Sequence, residues 1–494
     1  MNKIPAILIF LVLFGCKSSN EKPAEPFGDL KQSIDRHTQN VLSHGNVNSM
    51  SIAVYKDGNT YHNYYGEIDS GANNLPNDST LFEIASISKV FVGSLTARAV
   101  VDGKLSLDSD IREFLPGDYP NLEYEDKPVT IQNLVTHTLG FETPEKLNEV
   151  YKRIFAGEYK ANPIEYDISD LLVELETVEL KHEPGTFYKY NNVGPDLAAY
   201  ILEQVYKKPY SELLENFLEE IGMTDTHLQE FEKHEDRIIN GYTESGTLAT
   251  VDENPLLGGA SGIITTLPDL AKFMKYQLES GKPYIKESTR SLFQNEEENM
   301  GYLWDVGYAE VEGSYYLKTG TSNGVQSILL VCPDSNYGQI LIMNNTSESA
   351  TNDWLSLYNR IEYDLIKYPK INLWSKVEPM FLKEPNKAKQ WYIELRKDTV
   401  QYFAESNYLN RIGYDFLYHD KEETAIEVFK LAIATDPNDA NLYDSLGEAY
   451  FKVKDYKSAK ESYSTSLQLD STNTNAENYI KEINQLLEKT DESN

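Results

Sequence analysis

Between Phe82 and Phe91 the chain reads F-E-I-A-S-I-S-K-V-F, and no other stretch limits the possible folds as sharply. Ser86 and Lys89 stand three residues apart in it. If Ser86 opens a helix, Lys89 falls one turn later on the same face. An amine is then set beside a hydroxyl, as a serine nucleophile with a lysine base requires. Ser88 cannot take this part, because neighbouring helical residues point apart. A helix N-terminus also aims free N–H groups at any oxyanion formed beside it. Ser-x-x-Lys occurs by chance as well, and Ser19–Lys22 in the N-terminal tail is such a match. The rest of the chain must therefore supply partners.

Two further stretches do so. Pro184–Asn192, P-G-T-F-Y-K-Y-N-N, leads into a helical pattern over Val193–Tyr206. Tyr190-x-Asn192 places a phenol and an amide at that loop–helix junction. The phenol can shuttle a proton if nearby cations lower its pKa towards a reactive phenolate. Asn192 can hold Lys89 and donate to a substrate carbonyl. Tyr188 is the rival phenol, without an asparagine two residues on. Later comes Lys318-Thr319-Gly320-Thr321, at the end of the β run Ser314–Leu317 and before the strands Val325–Cys332 and Gln339–Asn344. Lys318 offers a fixed cation for a substrate carboxylate, and its charge, with burial, lowers the pKa of Lys89. Gly320 lets a substrate backbone come close. The N–H of Thr321 can complete an oxyanion hole with that of Ser86. His137 lies in a turn before a loop marked by Gly140 and Pro144. It is read as structural, since Lys89 already supplies a base.

Ser-x-x-Lys, then Tyr-x-Asn, then Lys-Thr-Gly, in that order, resembles the serine β-lactamase/penicillin-binding superfamily and its class C-like branch. The stretches Val129–Gly140, Leu218–Thr226, Gly258–Met274 and Gly301–Trp304 look like that branch too, and the resemblance covers about Leu30 to Ile366. It implies an α+β fold: an antiparallel sheet flanked by helices, plus an all-helical domain. It implies Ser86 as nucleophile and Lys89 and Tyr190 as base and acid. Asn192, Lys318, Thr319, Gly320 and Thr321 would position the substrate. No metal or organic cofactor is implied. The substrate stays open among a D-alanyl-D-alanine-type peptide, a β-lactam, a D-amino peptide and a small ester. Two departures stand out: Asn191 replaces the usual serine, and Phe141–Glu145 lacks the usual Gly-Leu-Pro.

The ends of the chain carry other signals. Residues 1–15 have the shape of a secretory signal, and Leu13-x-Gly15-Cys16 resembles a bacterial lipobox. That resemblance implies lipidation of Cys16 and a protein anchored in the cell envelope, facing the periplasm or the exterior. Residues 16–29 read as a tether. Residues 30–366 are the expected hydrolase domain, and 367–388, punctuated by Pro369, Pro379 and Pro385, an inter-domain linker between independently folding parts. Beyond it a pattern recurs every 34 residues: Leu409 with Tyr443, Gly413 with Gly447, Phe416 with Tyr450, Ala425 with Ala459, Phe429 with Tyr463. This resembles tetratricopeptide repeats, an all-α domain over 389–490 with flanking helices at Asn386–Ala404 and Asn475–Leu487. Such repeats would offer a protein or peptide partner a concave groove, or serve as a packing or spacer module. Cys332, the only other cysteine, sits in the apolar run Ser327–Cys332 and reads as a buried, inert thiol. Lysine and arginine total 45 against 78 acidic residues, a formal charge of −33, and no basic cluster invites nucleic acid. The competing expectation is a non-catalytic, lipid-anchored scaffold whose repeats bind partners. A vestigial site should have lost some of its polar groups, and here all are present.

Overall fold

The computed structural model describes residues 28–158, 161, 164–249, 251 and 254–492. The signal segment, Cys16 and most of the expected tether lie outside the described residues.

Apolar side chains occupy both parities of the central strands, so both faces of the sheet must be covered. The strands are β1 (Ser49–Lys56), β2 (Asn59–Gly66), β3 (Phe293–Gln294), β4 (Asn299–Met300), β5 (Asp305–Ala309), β6 (Gly313–Thr321), β7 (Gln326–Cys332) and β8 (Tyr337–Met343). They form one antiparallel sheet in the order β2-β1-β8-β7-β6-β5-β4-β3. Ala53, Tyr55, Leu329, Val331, Ile340 and Ile342 point to one face, against the helix Leu267–Glu279. That helix has Pro268 in its first turn, and the Thr266 hydroxyl accepts from Asp269 N–H. Met50, Ile52, Val54, Ile328, Leu330, Leu341 and Met343 point to the other face. There the helices Gly28–Leu42 and Glu348–Leu365 cover them. Cys332 is buried on this side, and burial pushes its thiol pKa up, away from reactivity.

Beneath the first face lies the helix Ser88–Val101, buried from Ser88 to Ala97. A helix enclosed on all sides needs partners on all sides. They come from the helices Pro283–Ser288, Val193–Tyr206 and Tyr210–Ile221; Ile131–Val135 packs on Val193–Tyr206, and Glu145–Phe155 and Ile168–Leu175 complete the helical half. A small sheet of Leu81–Glu83, Ile263–Thr266 and Thr226–Leu228 brings the chain to the start of Ser88–Val101.

At the C-terminal end the helices Ser406–Tyr418 and Glu422–Thr435 form one antiparallel pair, and Ala440–Lys452 and Tyr456–Leu469 the next. Equivalent helix starts are separated by the 34-residue period. Gly413 and Gly447 hold equivalent places, and a Cβ at either would strike the ring of Phe429 or Tyr463. Pro385–Leu395 and Thr474–Glu492 flank the pairs.

Residues 367–388 do not behave as a bare linker. Ile371–Asn372 is a strand, Leu373–Phe381 a helix, and Leu373, Trp374, Val377 and Phe381 are buried. They belong to one apolar core that runs from the outer sheet face through the helix Glu348–Leu365 into the paired helices. Pro369 lies in a turn and Pro385 opens the next helix, but Pro379 falls inside the helix Leu373–Phe381, and the apolar residues between the prolines make the segment part of a core.

Candidate active site

The turn that carries Ser86 is a single 3-10 turn, Ala85–Ile87, running straight into the helix Ser88–Val101. Ala85 holds a left-handed φ of 43°, a strained conformation for a residue with a side chain. Strand β6 passes against this turn. A Cβ on Gly320 would lie 2.1 Å from the Ile84 carbonyl oxygen. The glycine expected to admit a substrate backbone is thus needed first to admit the serine turn itself.

Lys89 is fully buried, with its Nζ 3.2 Å from Ser86 Oγ. It donates to Asn192 Oδ1 and to the Ala260 carbonyl, each at 2.8 Å. Burial lowers its pKa to about 7, and the buried carboxyl of Asp196 acts in the opposite direction. The charge of Lys318, expected to contribute, is not among the causes. Tyr190 donates to Ser86 Oγ at 2.6 Å from the other side. Its residue surface is 44% open to the cleft, yet its hydroxyl end faces Ser86, with Lys89 and Lys318 near the ring. Loss of water there raises the phenol above its ordinary pKa, and Lys318 only partly offsets this. The expected cation-stabilised phenolate is therefore corrected: the phenol stays protonated at rest, and the amine is the group ready to accept a proton.

Lys318 is buried on β6, with its Nζ 3.6 Å from Asp305 Oδ2 on the neighbouring strand β5. It therefore already has a carboxylate beside it, and a substrate carboxylate would have to share it. Ser86, Tyr190, Asn192, Lys318, Thr319 and Thr321 line a cleft of about 490 Å³ together with Tyr188, Glu298 and Asp305. The fold thus brings together all eight residues marked in the sequence from 86 to 321, with Gly320 serving at the turn. Asn191 explains one departure. Its Oδ1 accepts from Gly194 N–H at 2.8 Å, closing the start of the helix Val193–Tyr206. Tyr188 faces the cleft but stacks on Phe293. His137 packs against the Tyr190 ring at 4.6 Å, and burial with the charges of Lys318 and Lys89 holds it neutral.

Asp196 was missed. It is completely buried, accepts from Gly259 N–H at 2.9 Å, and burial raises its carboxyl to about 6. It fixes the loop whose next residue, Ala260, accepts from Lys89. One signal was available: an acid four residues after Asn192, on a helix otherwise apolar through Leu202.

This architecture, with a serine–lysine pair at a helix start and a lysine on the adjoining strand, defines a serine-hydrolase fold of the β-lactamase type. The family model described as Beta-lactamase matches residues 34–358, and the chain belongs to that family. It is 24% identical over 329 residues to Protein flp of Staphylococcus aureus (strain N315), covering 65% of this chain. The chain spans only 64% of that relative's length. A Beta-lactamase of Providencia stuartii is 20% identical over 375 residues, covering 68% of this chain and 90% of its own. Among solved structures, a Beta-lactamase/D-alanine Carboxypeptidase from Yersinia pestis complexed with citrate superposes with a TM-score of 0.59 at 21% identity, over 68% of this chain and 99% of that one. The octameric penicillin-binding protein homologue from Pyrococcus abyssi gives 0.58 at 21% identity, over 68% and 79%.

Proposed function

We propose that this protein is a serine hydrolase that works through an acyl-enzyme on Ser86 and acts on an amide, ester or β-lactam carbonyl. The observation that carries the reading is Ser86 Oγ between Lys89 Nζ at 3.2 Å and Tyr190 OH at 2.6 Å, with burial holding Lys89 near neutrality. Lys89 takes the Ser86 proton as Oγ attacks the carbonyl carbon. The N–H groups of Ser86 and Thr321 receive the oxyanion. As the C–N or C–O bond breaks, Tyr190 passes its proton to the leaving group and regains one from Lys89. Water, deprotonated by the same pair, then releases the acid. Asn192 keeps Lys89 aimed at Oγ, and Lys318 with Thr319 orients the substrate. The relatives named for β-lactams and D-alanine peptides support putting those carbonyls first in a substrate panel, with D-amino peptides and small esters beside them.

The proposal extends to the ends of the chain. Cys16 would carry a lipid anchor, with residues 16–29 as tether, placing the enzyme at an envelope membrane. The helix pairs within 389–490 would be tetratricopeptide repeats that hold a peptide or protein partner. The 34-residue recurrence and the two equivalent glycines support that reading.

The test is intact-mass measurement after a fluorophosphonate probe, on wild type and Ser86→Ala, followed by the substrate panel. One adduct on wild type and none on the variant is expected. Equal labelling would remove Ser86 as nucleophile, and no labelling or turnover of wild type would favour a binding scaffold. For the anchor, Cys16→Ala should leave the membrane fraction.

A further inference from the structure

We propose that His227, Glu230 and His234 form a binding site for one divalent transition-metal ion of the zinc type, beside the serine cleft. His227 lies on the short strand Thr226–Leu228, and Phe231–His234 is a single 3-10 turn. The reversal between them stacks the two imidazoles, with ring centres 3.9 Å apart and planes at 27°. His227 Nδ1 and His234 Nε2 each stand 3.6 Å from the same oxygen, Oε2 of Glu230. All three atoms lie within 4.8 Å of one another. A separation of 3.6 Å is too long for a hydrogen bond. It fits an edge of a tetrahedron around zinc, about 3.4 Å for nitrogen and oxygen ligands at about 2.0–2.1 Å.

Proton positions point the same way. His227 Nε2 is 3.1 Å from Asp225 Oδ1, a carboxylate that can only accept. The Nε2 proton is therefore committed, and in the neutral ring Nδ1 presents its lone pair towards Glu230. Asp225 is itself held by the Arg237 guanidinium. A carboxylate behind a histidine, fixing its tautomer, is the arrangement that supports metal-ligating imidazoles. Lys233 Nζ sits 2.5 Å from Glu230 Oε1 and leaves Oε2 to the histidines. The three side chains are partly exposed, so water can reach an ion held there. Phe231, between Glu230 and His234, lines the serine pocket beside Phe155 and Ser86. The metal would brace the turn that carries this wall.

A second histidine cluster behaves differently and provides a control. Asp353 Oδ1 is in direct hydrogen-bond contact with His44 at 2.6 Å and His419 at 2.9 Å.

The test is calorimetric titration of Zn²⁺ into the full chain, carrying no polyhistidine tag, after chelator treatment and dialysis. Wild type should bind one equivalent. His227→Gln and His234→Gln should each abolish it with an unchanged circular-dichroism spectrum. Asp225→Asn should weaken it about 10- to 100-fold, and His419→Gln should leave it intact. If His227→Gln fails to fold, His234→Gln on the 3-10 turn decides. No binding by wild type, binding that survives in His234→Gln, or binding lost in His419→Gln overturns the proposal.

Discussion

Among the described residues no carboxylate forms an ion pair with Lys89; its nitrogen meets a hydroxyl, an amide oxygen and a backbone carbonyl. That is why burial dominates its titration. The proton-accepting form is the neutral amine, so kcat/KM for an uncharged ester should rise with pH through about 7 and then level off. Because the Tyr190 phenol is raised above its ordinary value, no fall should follow until pH exceeds the usual phenol range. A profile falling between pH 7 and 9 would contradict this pairing of roles. Asp196→Asn keeps an acceptor for Gly259 N–H and removes the charge that favours protonated Lys89. The rising limb of the same profile should move to lower pH. Tyr190→Phe should cut turnover on the order of 10²-fold or more, the scale of one acid–base group, and stopped-flow kinetics would locate the loss in acylation or deacylation.

At the level of elements, the site depends on how closely a strand can approach a turn. The 3-10 turn Ala85–Ile87 and β6 meet backbone to backbone at Gly320. Gly320→Ala should force them apart, costing about 1–3 kcal/mol, as overpacking of a filled interior does. Denaturant unfolding measures the loss. Labelling of Ser86 should fall more than stability does, because the displaced strand also carries Lys318 and Thr321. If the variant labels at the wild-type rate, the contact is not what sets the turn.

For the whole molecule, the outer sheet face and the C-terminal helices share one core. Arg360, on the helix Glu348–Leu365, is buried between Asp415 at 2.6 Å and Glu378 at 2.9 Å. Tyr363 on the same helix stacks on Tyr408 at 4.1 Å. The independent folding expected from the prolines is therefore corrected: a chain ending at Ile366 uncovers this face and should aggregate on size-exclusion chromatography. Arg360→Ala removes the guanidinium from two partly buried carboxylates, with His419 still beside Asp415, and should cost about 1–3 kcal/mol. A urea midpoint unchanged from wild type would show the two parts to be uncoupled.

The sequence by itself determined what local chemistry can encode. Apolar runs such as Val325–Cys332 and Gln339–Asn344 marked the central strands, the 34-residue period marked the helix pairs, and three short motifs in order marked the residues of the site. Spacing paired Ser86 with Lys89, and the two later motifs set that pair apart from the chance match Ser19–Lys22. Distances across the chain were decided only by the tertiary structure. Tyr190 meets Ser86 because the helix Val193–Tyr206 packs beside the serine helix, and Lys318 meets Asp305 because β5 and β6 are neighbours. Asp196 and the direction of the Tyr190 shift were hidden for the same reason. Desolvation is a property of what surrounds a group, and a sequence lists neighbours along the chain, not around it. The prolines of 367–388 could signal turns, but whether Trp374 and Phe381 faced water or a core depended on a surface contributed by residues far away in the chain.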